Sequence, residues 1–221
     1  MESINYTDWG LIPYSEAYEK QKILFENTIL KKNRKEKTEN TLVFCEHPHV
    51  ITIGKNGRSS NLLFPEKILK EKQIELFHVD RGGDITYHGQ GQLVGYPIFD
   101  LENFKLGLKD YIFRMEECII KLLETYNIES ERLEGATGVW TGTDKPGKTR
   151  KICAIGVRSS RYVTMHGFAL NVNTDLAYFR FINPCGFVDK GVTSMAQELQ
   201  EPVDFDEVKN RLSQLFLEYF K

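Results

Sequence analysis

Neither a disulfide framework nor a zinc-finger pattern is written into this 221-residue chain: its four cysteines, Cys45, Cys118, Cys153 and Cys185, include no C-x-x-C pair. A chain this long needs no covalent staples, so reduced thiols are expected and each must be judged singly. An excess of charge is missing too. With 29 Lys and Arg against 31 Asp and Glu, the net charge of −2 gives no general drive toward a nucleic acid or an anionic membrane, and any basic patch must be local. No apolar run approaches membrane-spanning length, and the opening Met-Glu-Ser-Ile-Asn-Tyr-Thr-Asp-Trp has no apolar signal core and is not Arg-rich; a cytoplasmic protein is expected. Both phosphate-binding glycine patterns, G-x-G-x-x-G and G-x-x-x-x-G-K-[ST], are absent, which removes support for a Rossmann or P-loop domain. No internal repeat is visible. Nothing in the composition, 41% hydrophobic and 27% charged, marks a seam, so residues 1–221 are expected to form one domain.

What is present centres on residues 81–92, Arg-Gly-Gly-Asp-Ile-Thr-Tyr-His-Gly-Gln-Gly-Gln. Four glycines and one fixed charge in a stretch with so little apolar surface suggest a binding loop whose main chain a ligand approaches closely. A long turn between strands is the plainer alternative. Around it, residues 14–30 read as a helix capped by Ser15, with Ala17, Tyr18, Leu24, Phe25, Thr28 and Ile29 on its apolar face, and residues 31–37 as a solvated basic loop. Residues 41–45 and 50–53 read as buried strands, 65–72 as a short helix, and 76–79 as a strand feeding the glycine loop. Residues 93–98 continue as a strand in which Pro97 argues for an edge or a bulge. Leu108, Tyr111, Ile112, Met115, Ile119, Leu122 and Tyr126 follow helical spacing, with Cys118 packed beside the stripe and Asn127 as the stop. Turn chemistry at 144–149 predicts a hairpin of 139–140 with 152–157, followed by a strand over 162–172 and a loop at 183–186. The last helix, 205–220, carries a capping box of Asp204 and Glu207 and a face of Val208, Leu212, Leu215 and Tyr219. This order predicts an α+β or mixed α/β fold.

A reactive cysteine needs thiolate character and access. Cys153 sits in a strand apolar on both faces and Cys45 ends another, so both are expected to be inert; Cys185, between Pro184 and Gly186, is the candidate nucleophile. Lys151, His88 and His166 are its candidate partners, and spacing does not choose among them. A metal site on Cys45, His47 and His49 lacks a second ligand pair, and satisfied strand-end histidines are the expectation.

Together, residues 81–92, Lys151-Ile152-Cys153-Ala154-Ile155-Gly156, His166-Gly167-Phe168-Ala169-Leu170-Asn171 and Pro184-Cys185-Gly186 resemble the lipoyl(octanoyl) transferases of lipoate biosynthesis. Glu46-His47-Pro48 with Thr52 and Gly54, and Val192-Thr193-Ser194, extend the likeness over residues 40–200. The resemblance implies an α/β domain with mixed sheets and flanking helices, shared with biotin and lipoate protein ligases. It implies transfer of an octanoyl group from octanoyl-acyl carrier protein to a lysine of lipoyl domains, those of 2-oxoacid dehydrogenase complexes and the glycine cleavage H protein, by a monomer without a cofactor. Cys185 would carry the acyl thioester and Lys151 would lower its pKa and shuttle protons. Arg81, Gly82, Gly83, Asp84, Ile85, Thr86, Tyr87 and His88, with Ala154, Ile155, Gly156, Gly167, Phe168 and Ala169, would line the acyl site. Two residues depart from the pattern: Gln90 stands where proline is usual and Cys153 where a small residue is common. Cations at 31–37 and at Lys145, Lys148, Arg150, Arg158 and Arg161 are candidates for meeting an acidic carrier protein. An ATP-dependent ligase of the same fold and a non-catalytic binding module are the alternatives.

Overall fold

The computed structural model describes residues 3–145, 147–183 and 190–221. Its strands are β1 (Ile4–Leu11), β2 (Asn40–Glu46), β3 (Val50–Ile53), β4 (Glu75–His78), β5 (Ile85–His88), β6 (Gln92–Ile98), β7 (Glu131–Leu133), β8 (Ala136–Thr141), β9 (Arg150–Ser160), β10 (Val163–Asn171) and β11 (Gly191–Val192). Its helices are α1 (Tyr14–Asn33), α2 (Glu66–Glu71), α3 (Leu108–Glu124), α4 (Met195–Leu199) and α5 (Phe205–Tyr219), with short 3-10 turns at Ser59–Asn61, Leu101–Phe104 and Leu176–Phe181.

Strand alternation dictates the layering. In β2, Leu42 and Phe44 face one way and Val43 and Cys45 the other, and all four are buried, so the sheet must be covered on both faces. One face packs Leu42, Phe44, Leu93, Phe168 and Leu170 against Tyr111, Met115, Ile119 and Leu122 of α3 and Val208, Leu212 and Phe216 of α5. The other packs Val43, Cys45, Val94, Tyr96, Val163 and Met165 against Ala17 and Phe25 of α1. The sheet runs in the order β1-β2-β6-β10-β9-β8-β7, with β11 added beside β9. The β1–β2 and β9–β11 pairs are parallel and the other neighbours antiparallel. A second sheet, β4-β3-β5, packs Ile51, Ile53, Ile85 and Tyr87 against Leu69 of α2 and Phe181.

Several expectations change. β1, over which the sequence shows no strand pattern, is an edge strand whose side chains are mostly exposed or half-exposed, so its composition carries no alternation of burial. α1 starts after Pro13 with no side-chain cap, so Ser15 is not its cap; Pro13 precedes the first helical residue with φ −54°. The helix also runs three residues past Leu30, and Lys31 and Lys32 pair with Glu39, Asp100 and Glu102 in place of a wholly solvated run. On α5 the buried face centres on Phe216, while Leu215 and Tyr219 are half-buried. Half of the expected capping box of α5 is present: Asp204 Oδ1 accepts the Glu207 N–H at 3.0 Å, while the Glu207 carboxylate accepts from Arg211 Nε at 2.8 Å.

Pro97 lies in a central strand, and the structure shows how. Pairing of β6 with β10 runs from Gln92↔Asn171 to Gly95↔Phe168 and resumes where Thr164 N–H donates to Phe99 O at 2.9 Å. Between them β10 departs at His166, which has φ +62° and gives its N–H to Gln21 Oε1. The donor that proline lacks is therefore not demanded there. Pro97 O accepts from Tyr111 Oη at 3.0 Å and Thr164 Oγ1 at 2.8 Å.

Candidate active site

The residues of the glycine stretch do not form one loop. Ile85–His88 is strand β5, paired with β3; the residues before it dock on β9 through Gly82, and Gly89–Gly91 after it turn into β6, which starts at Gln92. Gly82 N–H donates to Val157 O at 2.9 Å, and a Cβ on Gly156 would stand 2.8 Å from Gly82 O, so the loop can dock on β9 only because position 156 has no side chain. Arg81 is buried beneath it. Its Nη2 donates to Thr52 O at 2.8 Å and to Thr52 Oγ1 at 3.0 Å, and its Nη1 to Gly82 O at 3.0 Å.

A cleft of about 80 Å³ opens between this loop and the large sheet. Its walls include Arg81, Gly83, Asp84, Ile85, Thr86 and His88 from the loop and β5, Lys151, Ala154, Ile155 and Gly156 from β9, and Gly167, Phe168 and Ala169 from β10. Two expected wall residues are not in it. Strand alternation turns Tyr87 into the core of the small sheet, where its Oη meets His49 Nδ1 at 2.7 Å and its ring stacks on Tyr178 at 5.2 Å. Gly82 is the tie to β9. Residues beyond the expected set, Tyr14, Gln92, Val94, Tyr96, His166, Asn171, Phe179 and Val192, complete the lining. Gln92, His166, Asn171 and Val192 belong to the stretches quoted for the family likeness, which for Gln92, Asn171 and Val192 was the only signal; His166 was also a candidate partner of the cysteine.

Polar side chains cross the cleft in one directed chain. Arg81 donates to Thr52 Oγ1, and Thr52 Oγ1 lies 3.4 Å from His88 Nε2. Gln92 Nε2 donates to Tyr87 O at 3.1 Å and to Asn171 Oδ1 at 2.9 Å, so Gln92 Oε1, 2.8 Å from His88 Nδ1, must be receiving that nitrogen's proton. His88 Nε2 is then bare and accepts from the Thr52 hydroxyl. The chain ends where Asn171 Nδ2 donates to Thr193 O at 2.9 Å, and Thr193 N–H in turn donates to Lys151 O at 3.0 Å. Burial, with His47 adding to it, lowers His88 to about 3, so it is neutral near neutrality and cannot act as a cation there. His166 is lowered by burial as well and bonds Asp80 Oδ1 through Nε2 at 2.9 Å.

Lys151 stands at the far wall. Its Nζ donates to Thr137 O at 3.1 Å and lies 4.6 Å from the centre of the Trp140 ring. The cysteines sort by burial. Cys45, Cys118 and Cys153 are buried and burial pushes each thiol up, which matches the inert role expected of them. Cys185 lies outside the described residues. The chain on either side of it is tied to the cleft: Asn183 N–H donates to Asn61 O at 2.8 Å, and Asn61 Nδ2 to Asp84 Oδ2 at 2.5 Å. After it, Gly191 and Val192 pair with Arg150 and Lys151.

His47 and His49 are held by protein groups. His47 Nδ1 bonds Ile12 O at 2.8 Å and its Nε2 meets Tyr96 Oη at 2.7 Å, with Cys45 Sγ 3.6 Å away.

Comparison with known proteins places the chain. Residues 19–217 match the family described as the lipoyl protein ligase A/B catalytic domain. The chain is 58% identical over 220 residues to an octanoyltransferase from Parabacteroides distasonis, covering 100% of both. Among solved structures it is similar to a bi-partite lipoate protein ligase from Thermoplasma acidophilum, with a TM-score of 0.72 at 17% identity over 99% of this chain and 84% of that one. It also resembles the biotin protein ligase from Aquifex aeolicus, with a TM-score of 0.55 at 13% identity over 100% of this chain and 71% of that one. The mixed α/β domain found here is thus the catalytic fold of lipoate and biotin protein ligases, and on full-length identity the chain belongs to the octanoyltransferase family.

Proposed function

We propose that the protein transfers an octanoyl group from octanoyl-acyl carrier protein to a lysine of a lipoyl domain through a thioester on Cys185, with Lys151 as the proton shuttle. The observation that carries this reading is that the described residues on both sides of Cys185 are tied to the cleft. Two residues before it, Asn183 is bonded through Asn61 to Asp84 of the cleft wall; seven residues after it, Val192 pairs with Lys151. The other three cysteines are buried with raised thiols, which leaves Cys185 as the thiol for the chemistry.

The chemistry balances without ATP. The Cys185 proton passes to Lys151, and the thiolate attacks the donor carbonyl carbon. Collapse of the tetrahedral adduct breaks the carbon–sulfur bond to the carrier, whose sulfur leaves with the proton from Lys151. The target lysine then attacks the new thioester as a neutral amine. Lys151 takes its proton and returns one to the departing Cys185 sulfur, and formation of the amide drives the transfer. The largely apolar cleft receives the acyl chain, each buried methylene of which is worth about 0.8 kcal/mol. His88, lowered by burial to about 3 and with its bare Nε2 facing the Thr52 hydroxyl, shapes the wall and is too weak a base for this role.

The test is transfer to a lipoyl domain, such as one from a 2-oxoacid dehydrogenase complex or the glycine cleavage H protein. Octanoyl-carrier protein alone should serve as donor for the wild type and fail with Cys185→Ser. Transfer by Cys185→Ser that requires ATP and free octanoate would contradict the reading and establish a ligase.

A further inference from the structure

If Lys151 moves the protons, something must aim it. β9 does not pair evenly with β8: Val139 faces Cys153 but Trp140 faces Lys151, so Ile152 has no opposite residue. Successive side chains in a regular strand point to opposite faces, yet Ile152 and Cys153 are both packed in the α3–α5 core while Lys151 lines the cleft. Without the bulge, Lys151 would share the face of Cys153. It would point into an apolar core.

β8 is shaped to match. Gly138 has φ +122°, where other residues are strained, and a Cβ there would stand 2.5 Å from Cys153 O and 3.4 Å from Lys151 Cε. Its N–H does not join the strand ladder at this point; it donates to Glu116 Oε1 at 2.9 Å. Glu116 comes from α3 and is 7% exposed. A buried carboxylate needs compensation, and its Oε2 accepts from Arg132 Nε at 3.1 Å. Arg132 is itself fixed, with Nη2 on Glu117 Oε2 at 2.7 Å and on Phe113 O at 2.8 Å, and with its guanidinium 3.7 Å from the centre of the Phe113 ring. The residue just before Gly138 is Thr137, whose carbonyl receives Lys151 Nζ.

We propose that Glu116 is a positioning residue for Lys151. By holding the Gly138 N–H it fixes the bulged β8–β9 pairing that turns Lys151 into the cleft, and it aims the Thr137 carbonyl at Lys151 Nζ. The inference rests on the reading of Lys151 as the proton shuttle.

Two variants of similar size separate this role from plain stability. Glu116→Gln keeps an acceptor for the Gly138 N–H, Glu116→Met does not, and both lose the ion pair with Arg132. In transfer assays on the full chain, Glu116→Met should lower kcat by about 100-fold with donor KM unchanged, the scale of a misplaced catalytic group. Glu116→Gln should restore most of the rate, although its Tm falls as far as that of the Met variant. In a Lys151→Ala background, Glu116→Met should cost nothing further, because the group it aims is gone. A Gln variant as slow as the Met variant, or a full additional loss in the Lys151→Ala background, would overturn the inference and leave the role of Lys151 standing. Wild-type transfer by Lys151→Ala would overturn both.

Discussion

Gly82 and Gly156 meet backbone to backbone: Gly82 N–H donates to the carbonyl of Val157, and the Gly82 oxygen occupies the space a Cβ at 156 would need, 2.8 Å from it. The contact joins the loop that carries Arg81 to the strand that carries Lys151.

A side chain at 156 must therefore push the loop away. Gly156→Val should raise the KM for octanoyl-carrier protein by about tenfold or more, since displacement on the order of 1 Å is felt strongly in a site of this kind. Alkylation of Cys185 by a small reagent should keep its rate. Steady-state kinetics with varied donor, set beside the alkylation rate, checks both halves; an unchanged KM would remove the loop from the donor site.

Acid should weaken the fold through its buried histidines. Burial lowers His88 to about 3 and His47 to about 4, both from 6.5. For a folded-state pKa below the unfolded one, the stabilisation is complete above about pH 6.5 and is lost as pH falls toward the folded value, because the unfolded chain takes up the proton first. At pH 5 His88 alone costs about 2 kcal/mol relative to pH 7. Thermal melts across this range should show Tm falling with pH and a shallower slope in His88→Gln. A Tm independent of pH between 7 and 5 would contradict the burial described for these rings.

Asp204 offers the control. It caps α5 from the surface, so Asp204→Ala should cost about 1 kcal/mol in denaturant unfolding while transfer at 25 °C stays unchanged. Loss of activity in proportion would mean that α5 takes part in the site as well as in the core.

The parts of this fold that local chemistry dictates were legible in the sequence. The stripe from Tyr111 to Leu122, the Asp204 cap and the turn that makes a hairpin of β8 and β9 depend on neighbours in the chain. β1 was not legible, because an edge strand with mixed exposure has no period to read. Pro97 was read as an edge or bulge signal, and its tolerance in a central strand depends on His166, which is distant in sequence and leaves the ladder opposite it. In the site, the family likeness pointed to the stretches that meet, but not to the direction each side chain takes. Tyr87 left the wall through strand alternation, and Lys151 entered it through a bulge set by Glu116, which is 35 positions away and carries no motif.

The proposed transfer passes through one covalent intermediate, the octanoyl thioester of Cys185. Intact-mass measurement after mixing the protein with octanoyl-carrier protein, with no acceptor and no ATP, should show one added octanoyl group on the wild type. The adduct should be absent from Cys185→Ala and form more slowly on Lys151→Ala. An adduct that persists in Cys185→Ala, or none on a wild type that still transfers octanoyl groups, would contradict it.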